Sequence, residues 1–306
     1  MKYITDKHWA PQQYTAITLG NFDGFHTGHQ KLIESVAEQG ARFDLLRVVF
    51  SFYPHPVSVL REISGPGVFK LICSAHEKRW LAEQMGVDIL LDYPFDEEFC
   101  LCEPEDFVQN ILVKQMQCKV LVVGENYRFG KNRKGTAPLL KKLGAEAGIL
   151  VIAIPDVVVK GETVSSSAIR RYIADKNFAK VQKLLTRPYF IMGDVVSGRQ
   201  NGRKLGFPTA NIIPKADKLL PTPGVYLTRT LYKGALLNSV TNIGFKPTIG
   251  CDHIVAETYL FDFNQEIYGE ELVVNFYKWI RDEKKFSSME ELKEQIKQDI
   301  KILTFE

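Results

Sequence analysis

The sequence predicts two architectures in one chain. Residues 1–185 read as an α/β, doubly wound parallel sheet. Residues 186–306 read as a mainly antiparallel β-barrel with a terminal helix. From residue 14 to about 155, β-branched apolar runs alternate with segments of helical period, the pattern of βαβ units. At Thr186-Arg187-Pro188 the pattern changes to short alternating strands with glycine turns, and helical period returns only at the end. With 306 residues the chain is long enough for two cores.

Taken in order, Ala16-Ile17-Thr18-Leu19 is a buried strand ended by Gly20. Asn21, Asp23 and Gly24 supply turn chemistry. Helical period starts near His26-Thr27-Gly28-His29, with Leu32, Ile33, Val36 and Ala37 on one face. Leu45 to Phe52 is a second strand. The two prolines of Tyr53-Pro54-His55-Pro56 predict neither strand nor helix there. Ser74-Ala75-His76-Glu77 is a capping box for a helix that Gly86 stops, with Trp80, Leu81 and Met85 inward. Val87 to Leu91 is the next strand. Pro104 suits a first helical turn, and Phe107, Val108, Ile111, Leu112 and Met116 mark the buried face that follows. Lys119 to Val123 and Ile149 to Ile154 are further strands. Ser165, Ser166 and Ser167 read as a helix cap. A second short helix from Asn177 turns Phe178, Val181, Leu184 and Leu185 inward.

In the second half the strand candidates are Tyr189 to Val196, Val225 to Tyr232, Leu236 to Asn242, Val255 to Phe261 and Leu272 to Trp279. Tyr232-Lys233-Gly234 signals a hairpin. The last helix takes Ser288 as cap and Glu291 at the box position, with Met289, Leu292, Ile296 and Ile300 as its core stripe.

One stretch concentrates chemistry: TLGNFDGFHTGHQKLI, from Thr18 to Ile33. A strand, a tight turn and a helix start together make an anion site, because free amides and the helix dipole both favour negative charge. Gly28 leaves room for a phosphate to approach the backbone. His26 and His29, three apart, are placed to grip neighbouring phosphate oxygens. As a metal pair they are incomplete, since zinc takes three or four protein ligands and no Cys lies near.

The string Gly20-Asn21-Phe22-Asp23-Gly24-x-His26-x-Gly28-His29 resembles the HxGH motif of the nucleotidyltransferase superfamily. With Asn21-Phe22-Asp23-Gly24 in front, it is similar to the prokaryotic riboflavin kinase/FAD synthetase family. Several later strings extend the resemblance in the family's order. Tyr53-Pro54-His55-Pro56 resembles the end of T-F-x-P-H-P, with Ser51 for Thr. Pro94 to Phe99 resembles another family string, an acidic pair that is more often a solvated surface. Gly124 to Gly130 resembles G-x-[DN]-F-x-F-G, with Tyr127 for Phe. Its glycines and the basic Lys131, Arg133 and Lys134 also suit a polyphosphate at a strand's C-terminal end. Ser165 to Arg170 resembles SSTxIR, with Ser167 for Thr. Gly206-Phe207-Pro208-Thr209-Ala210-Asn211 matches the riboflavin kinase signature, preceded by Arg199, Arg203 and Lys204. Asn242 to Thr248, Glu257 to Asp262 and Ile280 to Phe286 match three more segments.

The resemblance implies a Rossmann-like nucleotidyltransferase domain over 1–185 that adenylylates FMN, and a riboflavin kinase domain over 186–306. It implies nucleotide contacts from Gly20, Asn21, Phe22, Asp23, Gly28, Asn126, Arg128, Ser166, Ser167 and Arg170, and from Gly206, Pro208, Thr209 and Asn211. His26 and His29 would stabilise the α-phosphate and leaving pyrophosphate, and Glu257 would be the kinase base. His55, Pro56, Arg281 and Glu283 would lie on flavin. Mg²⁺ would be needed in both halves, with Thr209, Asn211 and Asn126 as its ligands. Hard oxygens two apart on an extended segment suit that ion.

Composition bounds the alternatives. A net charge of +3 does not by itself imply nucleic-acid or membrane partners. No apolar run reaches membrane-span length, and the N-terminus shows no signal region. The five cysteines form no metal spacing and fit reduced thiols in the cytoplasm. Expected partners are riboflavin, FMN and ATP, and oligomeric state is not legible. Two rivals stand beside the main reading. One is a flavin- or nucleotide-binding regulator of the same fold with reduced catalysis. The other adenylylates a different phosphorylated acceptor, against which the Gly206 to Asn211 string argues.

Overall fold

A computed structural model describes residues 1–306 except 65–68, 198–207, 249–250, 285–289, 292–293, 296–297 and 300–306. The chain divides into two compact units, Met1–Ser166 and Ser167–Glu306.

The first unit is built on a six-stranded parallel sheet: β1 (Lys2–Ile4), β2 (Thr15–Leu19), β3 (Leu46–Tyr53), β4 (Ile89–Pro94), β5 (Cys118–Gly124) and β8 (Leu150–Ile154), in the order β1-β4-β3-β2-β5-β8. Two short ribbons accompany it, β6 (Arg128–Phe129) with β7 (Gly135–Thr136) and β9 (Val158–Val159) with β10 (Glu162–Thr163). β2 is buried along its length, as its apolar run requires. Its alternation splits the core. Ile17 and Leu19 join Val48, Phe50, Leu121, Phe107 and Leu112 in one cluster, and Ala16 joins Val36, Val120 and Val122 in the other.

The helices are α1 (Thr27–Phe43), α2 (Pro56–Ser64), α3 (Ala75–Gln84), the single turns α4 (Glu97–Cys100) and α5 (Pro104–Asp106), and α6 (Ala137–Glu146). The capping box is present on α3, with Ser74 accepting from Glu77 N and Glu77 accepting from Ser74 N. Inward on α3 are Glu77, Lys78, Leu81 and Ala82, while Trp80 and Met85 are only half-buried. Phe107–Gln115 forms a wide helix with i→i+5 bonds, closed by Met116 N to Ile111 O at 2.8 Å.

The proline stretch corrects one expectation. Tyr53 ends β3, and Pro56 is the first residue of α2. Proline fits a first helical position because the N–H it lacks would have had no partner there. His55 supplies the cap, its Nδ1 accepting from Val57 N at 3.2 Å.

The second unit starts with α7 (Ser166–Ala174, all but its first residue) and α8 (Phe178–Leu185), then a closed barrel. Its strands are β11 (Tyr189–Val196), β12 (Thr209–Ile212), β13 (Gly224–Tyr232), β14 (Ala235–Thr248), β15 (Cys251–Leu260) and β16 (Glu271–Arg281), ordered β11-β12-β15-β14-β13-β16. The hairpin turns at Lys233 and Gly234, both with positive φ, between the paired Tyr232 and Ala235. Buried hydroxyls link strands inside the barrel: Thr228 to Ser239 at 2.8 Å, Thr228 to Thr241 at 2.9 Å and Thr241 to Thr258 at 2.9 Å. Phe178 of α8 packs on Tyr189, Tyr226 and Phe276 of the barrel, with ring centroids 5.6–6.4 Å apart. The composition break at residue 186 and the packing division at 166/167 therefore bracket these two helices.

The terminal helix shows at 290–291, 294–295 and 298–299. Its expected cap and stripe residues Ser288, Met289, Leu292, Ile296 and Ile300 lie outside the described residues, as do Arg199, Arg203, Lys204, Gly206, Phe207 and Phe286. Asp299 is buried and takes a forked ion pair from Arg281, with Nη2 to Oδ2 at 2.7 Å.

Candidate active sites

The first site lies where β2 ends. Strand order reverses here, since β3 and β4 lie to one side and β5 and β8 to the other, and open parallel sheets bind ligands at such points. The loop is tightly wound: Phe22, Gly24 and Phe25 hold φ of 48°, 90° and 43°. Both phenylalanines are fully buried, which anchors a backbone they would otherwise avoid. Gly24 is required, because its φ is left-handed and a Cβ would lie 2.9 Å from Ile72.

His26 caps α1, its Nδ1 accepting from His29 N at 3.3 Å. The two imidazoles stack, with centroids 3.6 Å apart and planes 16° apart. Phe22 leans on His29 at 5.0 Å. His29 Nδ1 is buried without a partner among the described residues. Burial pushes its imidazole well below the ordinary histidine range, helped by His26 and by the ammonium of Lys78. Burial thus favours the neutral imidazole, the form with a single N–H to donate. Gly28 has a second reason to be glycine, for a Cβ there would sit 3.2 Å from the His26 ring.

Other predicted residues take structural partners. Asp23 is buried and accepts from Cys73 N at 3.1 Å, and its carbonyl accepts from Ser166 Oγ at 3.0 Å. Asn21 offers its carbonyl to Ser51 Oγ at 3.2 Å. Gly20 N donates to Phe50 O. Asn126 and Arg128 are exposed beyond β5, and Asn126 Nδ2 donates to Asp156 Oδ2 at 2.5 Å. Asp156 is a carboxylate that no sequence signal marked. His55 is buried, its ring 4.7 Å from that of Phe69, with Pro56 beside it at the start of α2. Within the second unit, Ser167 is exposed and Arg170 half-buried on α7.

The second site is made by strand register. Asn211 pairs with Glu257 and Glu257 with Asn242, so one row across β12, β15 and β14 carries all three on one face. Thr209, two residues from Asn211, pairs with Tyr259 on that face. Alternate residues Ala210 and Thr258 are buried on the other. Beside the row opens a cavity of about 490 Å³, lined by Pro208, Thr209, Asn211, Tyr259, Asp262 and Tyr268 among others. Burial, then Asp262, raises the Tyr259 phenol. Asn242 was missed by sequence reasoning as a site residue. Its Nδ2 donates to Glu283 Oε1 at 3.1 Å, and its Oδ1 is buried with no partner among the described residues. Glu283 itself is exposed. Arg281 is committed to Asp299.

Comparison with known proteins bears on both sites. The FAD synthetase family profile matches residues 9–168, and the riboflavin kinase profile matches residues 185–304. A bifunctional riboflavin kinase/FMN adenylyltransferase of Escherichia coli strain K12 is 38% identical over 303 residues, covering 98% of this chain and 96% of that protein. The chain belongs to the bifunctional riboflavin kinase/FMN adenylyltransferase family. Its relative of that name in Bacillus subtilis is 35% identical over 292 residues, with 94% and 91% covered. A solved structure from Streptococcus pneumoniae, described as a macrolide-efflux protein, superposes with a TM-score of 0.86 at 30% identity, covering 98% of this chain and 97% of that one. Among the described residues of this family member, no helix is long and apolar enough to cross a membrane.

Proposed function

We infer that this chain is a two-site flavin-cofactor enzyme. Its barrel phosphorylates riboflavin to FMN with ATP, and its parallel-sheet unit transfers the adenylyl group of a second ATP to FMN, giving FAD and pyrophosphate. The observation that carries this reading is the pairing, in one chain, of a stacked His26–His29 helix start with the Thr209–Asn211–Glu257 face. We assign the functions to residues 1–185 and 186–306 and place the enzyme in the cytoplasm.

In the barrel, Glu257 accepts the proton of the riboflavin 5′-hydroxyl while that oxygen attacks the γ-phosphorus and ADP leaves. Pro208, Thr209 and Asn211 position the phosphates, Gly206 belongs to the same signature, and Arg281 and Glu283 border the flavin. In the parallel-sheet unit, a phosphate oxygen of FMN attacks the α-phosphorus of ATP and the bond to pyrophosphate breaks. His26, His29 and the amides from Gly28 onward stabilise the charge that builds there. Asn126, Arg128 and Ser166 bind phosphates, and His55 and Pro56 border the flavin; Ser167 and Arg170 keep the phosphate role of the string they resemble.

The donors fit Mg²⁺. Thr209 and Asn211 supply a hydroxyl and an amide oxygen on the face that carries Glu257, and Asn126 is held by the carboxylate of Asp156. Thr209, Asn211 and Asn126 would hold Mg²⁺, which would supply neutralisation of phosphate charge. Incubation with riboflavin, Mg²⁺ and ATP, followed by chromatography, should yield FMN and then FAD. Retention of both substrates unchanged would favour the regulator. Adenylylation of another phosphorylated acceptor in place of FMN would favour the second rival.

A further inference from the structure

Beneath the histidine loop lies a buried polar relay that the proposed chemistry does not use. Lys78 of α3 donates to Asp92 Oδ1 at 2.7 Å and to Ser51 Oγ at 2.9 Å. Ser51 Oγ in turn donates to the Asn21 carbonyl at 3.2 Å, and Tyr3 OH donates to Asp92 Oδ2 at 3.1 Å. Lys78, Ser51 and Asp92 are 6%, 0% and 1% exposed, and Ser51 and Asp92 are register partners. The relay therefore crosses neighbouring strands in sheet order, from Tyr3 on β1 through β4 and β3 to the turn after β2.

A buried ion pair is weak as a stabiliser, because desolvating both charges offsets most of their attraction. Apolar residues of similar volume would hold the core as well. They would not hold the Asn21 carbonyl. We propose that Lys78 is a positioning residue for adenylyl transfer: through Ser51 its ammonium fixes the Asn21 carbonyl, and with it the turn carrying Phe22, His26 and His29. Burial of Phe22 and Phe25 anchors their left-handed backbone, and the relay holds the same turn at the Asn21 carbonyl. Two donors on Lys78 fix its direction, and Asp92 is itself fixed by Tyr3.

This proposal rests on the adenylyl-transfer reading, and its test separates the two. Ser51→Ala cuts the relay while leaving the Lys78–Asp92 pair. The double variant Lys78→Met/Asp92→Leu removes the pair without orphaning a charge. Each is assayed with FMN, Mg²⁺ and ATP, and with riboflavin as a control on the other site. For both, kcat for FAD formation should fall about 10–10²-fold, the cost of a misplaced catalytic group. FMN formation should stay within about twofold of the parent, as for a site untouched by the change. Ser51→Thr keeps the hydroxyl and should restore kcat. A purely structural pair would change melting temperature and leave kcat alone. Parent-level kcat in folded Ser51→Ala and the double variant, from a parent that makes FAD, overturns this proposal alone. If the double variant fails to fold, Ser51→Ala against Ser51→Thr decides. A parent that makes no FAD overturns the functional reading and this proposal with it.

Discussion

His26 and His29 sit on one helical turn and reach ring contact through local backbone alone, whereas Asn211 and Glu257 come from distant segments and meet only because β12 and β15 pair in one register. The first arrangement is fixed by a short string and a buried loop. The second depends on the whole barrel closing correctly. The ring contact is local, although the turn that carries it is tied to β3 through the Ser51–Asn21 hydrogen bond, while a one-residue slip of β12 would turn Asn211 and Thr209 to the other face.

The comparison can be broken first at Glu257. Glu257→Gln keeps shape and hydrogen bonding but cannot take a proton. Riboflavin phosphorylation should fall by roughly 10²–10⁴, with FAD formation from supplied FMN unchanged. FMN production within a few-fold of the parent would reduce Glu257 to an ordinary strand carboxylate, and Glu283 or Asp262 would be tested next. His29→Ala should lower FAD formation by roughly 10²–10³, as loss of one charge-stabilising donor does, and spare the kinase. Equal loss of both activities in a folded protein would sink that assignment.

Smaller effects sharpen the contrast between the units. Phe178 is buried against three barrel aromatics, so Phe178→Ala should cost the barrel about 3 kcal/mol in denaturant titration. The same packing predicts that a fragment of residues 167–306 melts higher than one of 186–306, with both making FMN. Equal melting would show that α8 adds nothing to the barrel. In the first unit, Arg47 forks onto Asp88, with Nε to Oδ2 at 2.8 Å. That hydrogen bond holds the Asp88 carboxyl below its usual range. A depressed carboxylate stabilises above its unfolded pKa and loses the contribution as pH falls through the folded value. The pair is about one-third exposed, so Arg47→Met should cost at most about 1 kcal/mol at pH 7. The difference should shrink in acid, as melts at neutral and low pH would reveal.

Much of this was legible beforehand. The sheet, the barrel, the Ser74–Glu77 box and the histidine turn all follow from contiguous patterns. Cross-sheet relations were not: Lys78 and Asp92 carry no sequence signal, Ser51 stands out only as a replacement for Thr, and the three meet only through the pairing of β3 with β4 and the packing of α3. Asp156 carries no sequence signal either, and Asn242, though it opens the Asn242 to Thr248 string, shows its place beside Glu257 only through the β14–β15 register. Pro56 departs from expectation because proline, a breaker inside a helix, opens one here. In sequence Gly28 offers room for a phosphate, and the His26 ring, 3.2 Å from where a Cβ would lie, adds a second constraint that only folded geometry reveals.

The central claim is that two separable sites act in sequence, and mixing two crippled variants tests it most directly. Glu257→Gln alone and His29→Ala alone, each given riboflavin, Mg²⁺ and ATP, should make little FAD. Mixed, they should make FAD at a rate approaching that of the parent, because each supplies the step the other lacks. A mixture no better than either variant, with both proteins folded, would contradict the account.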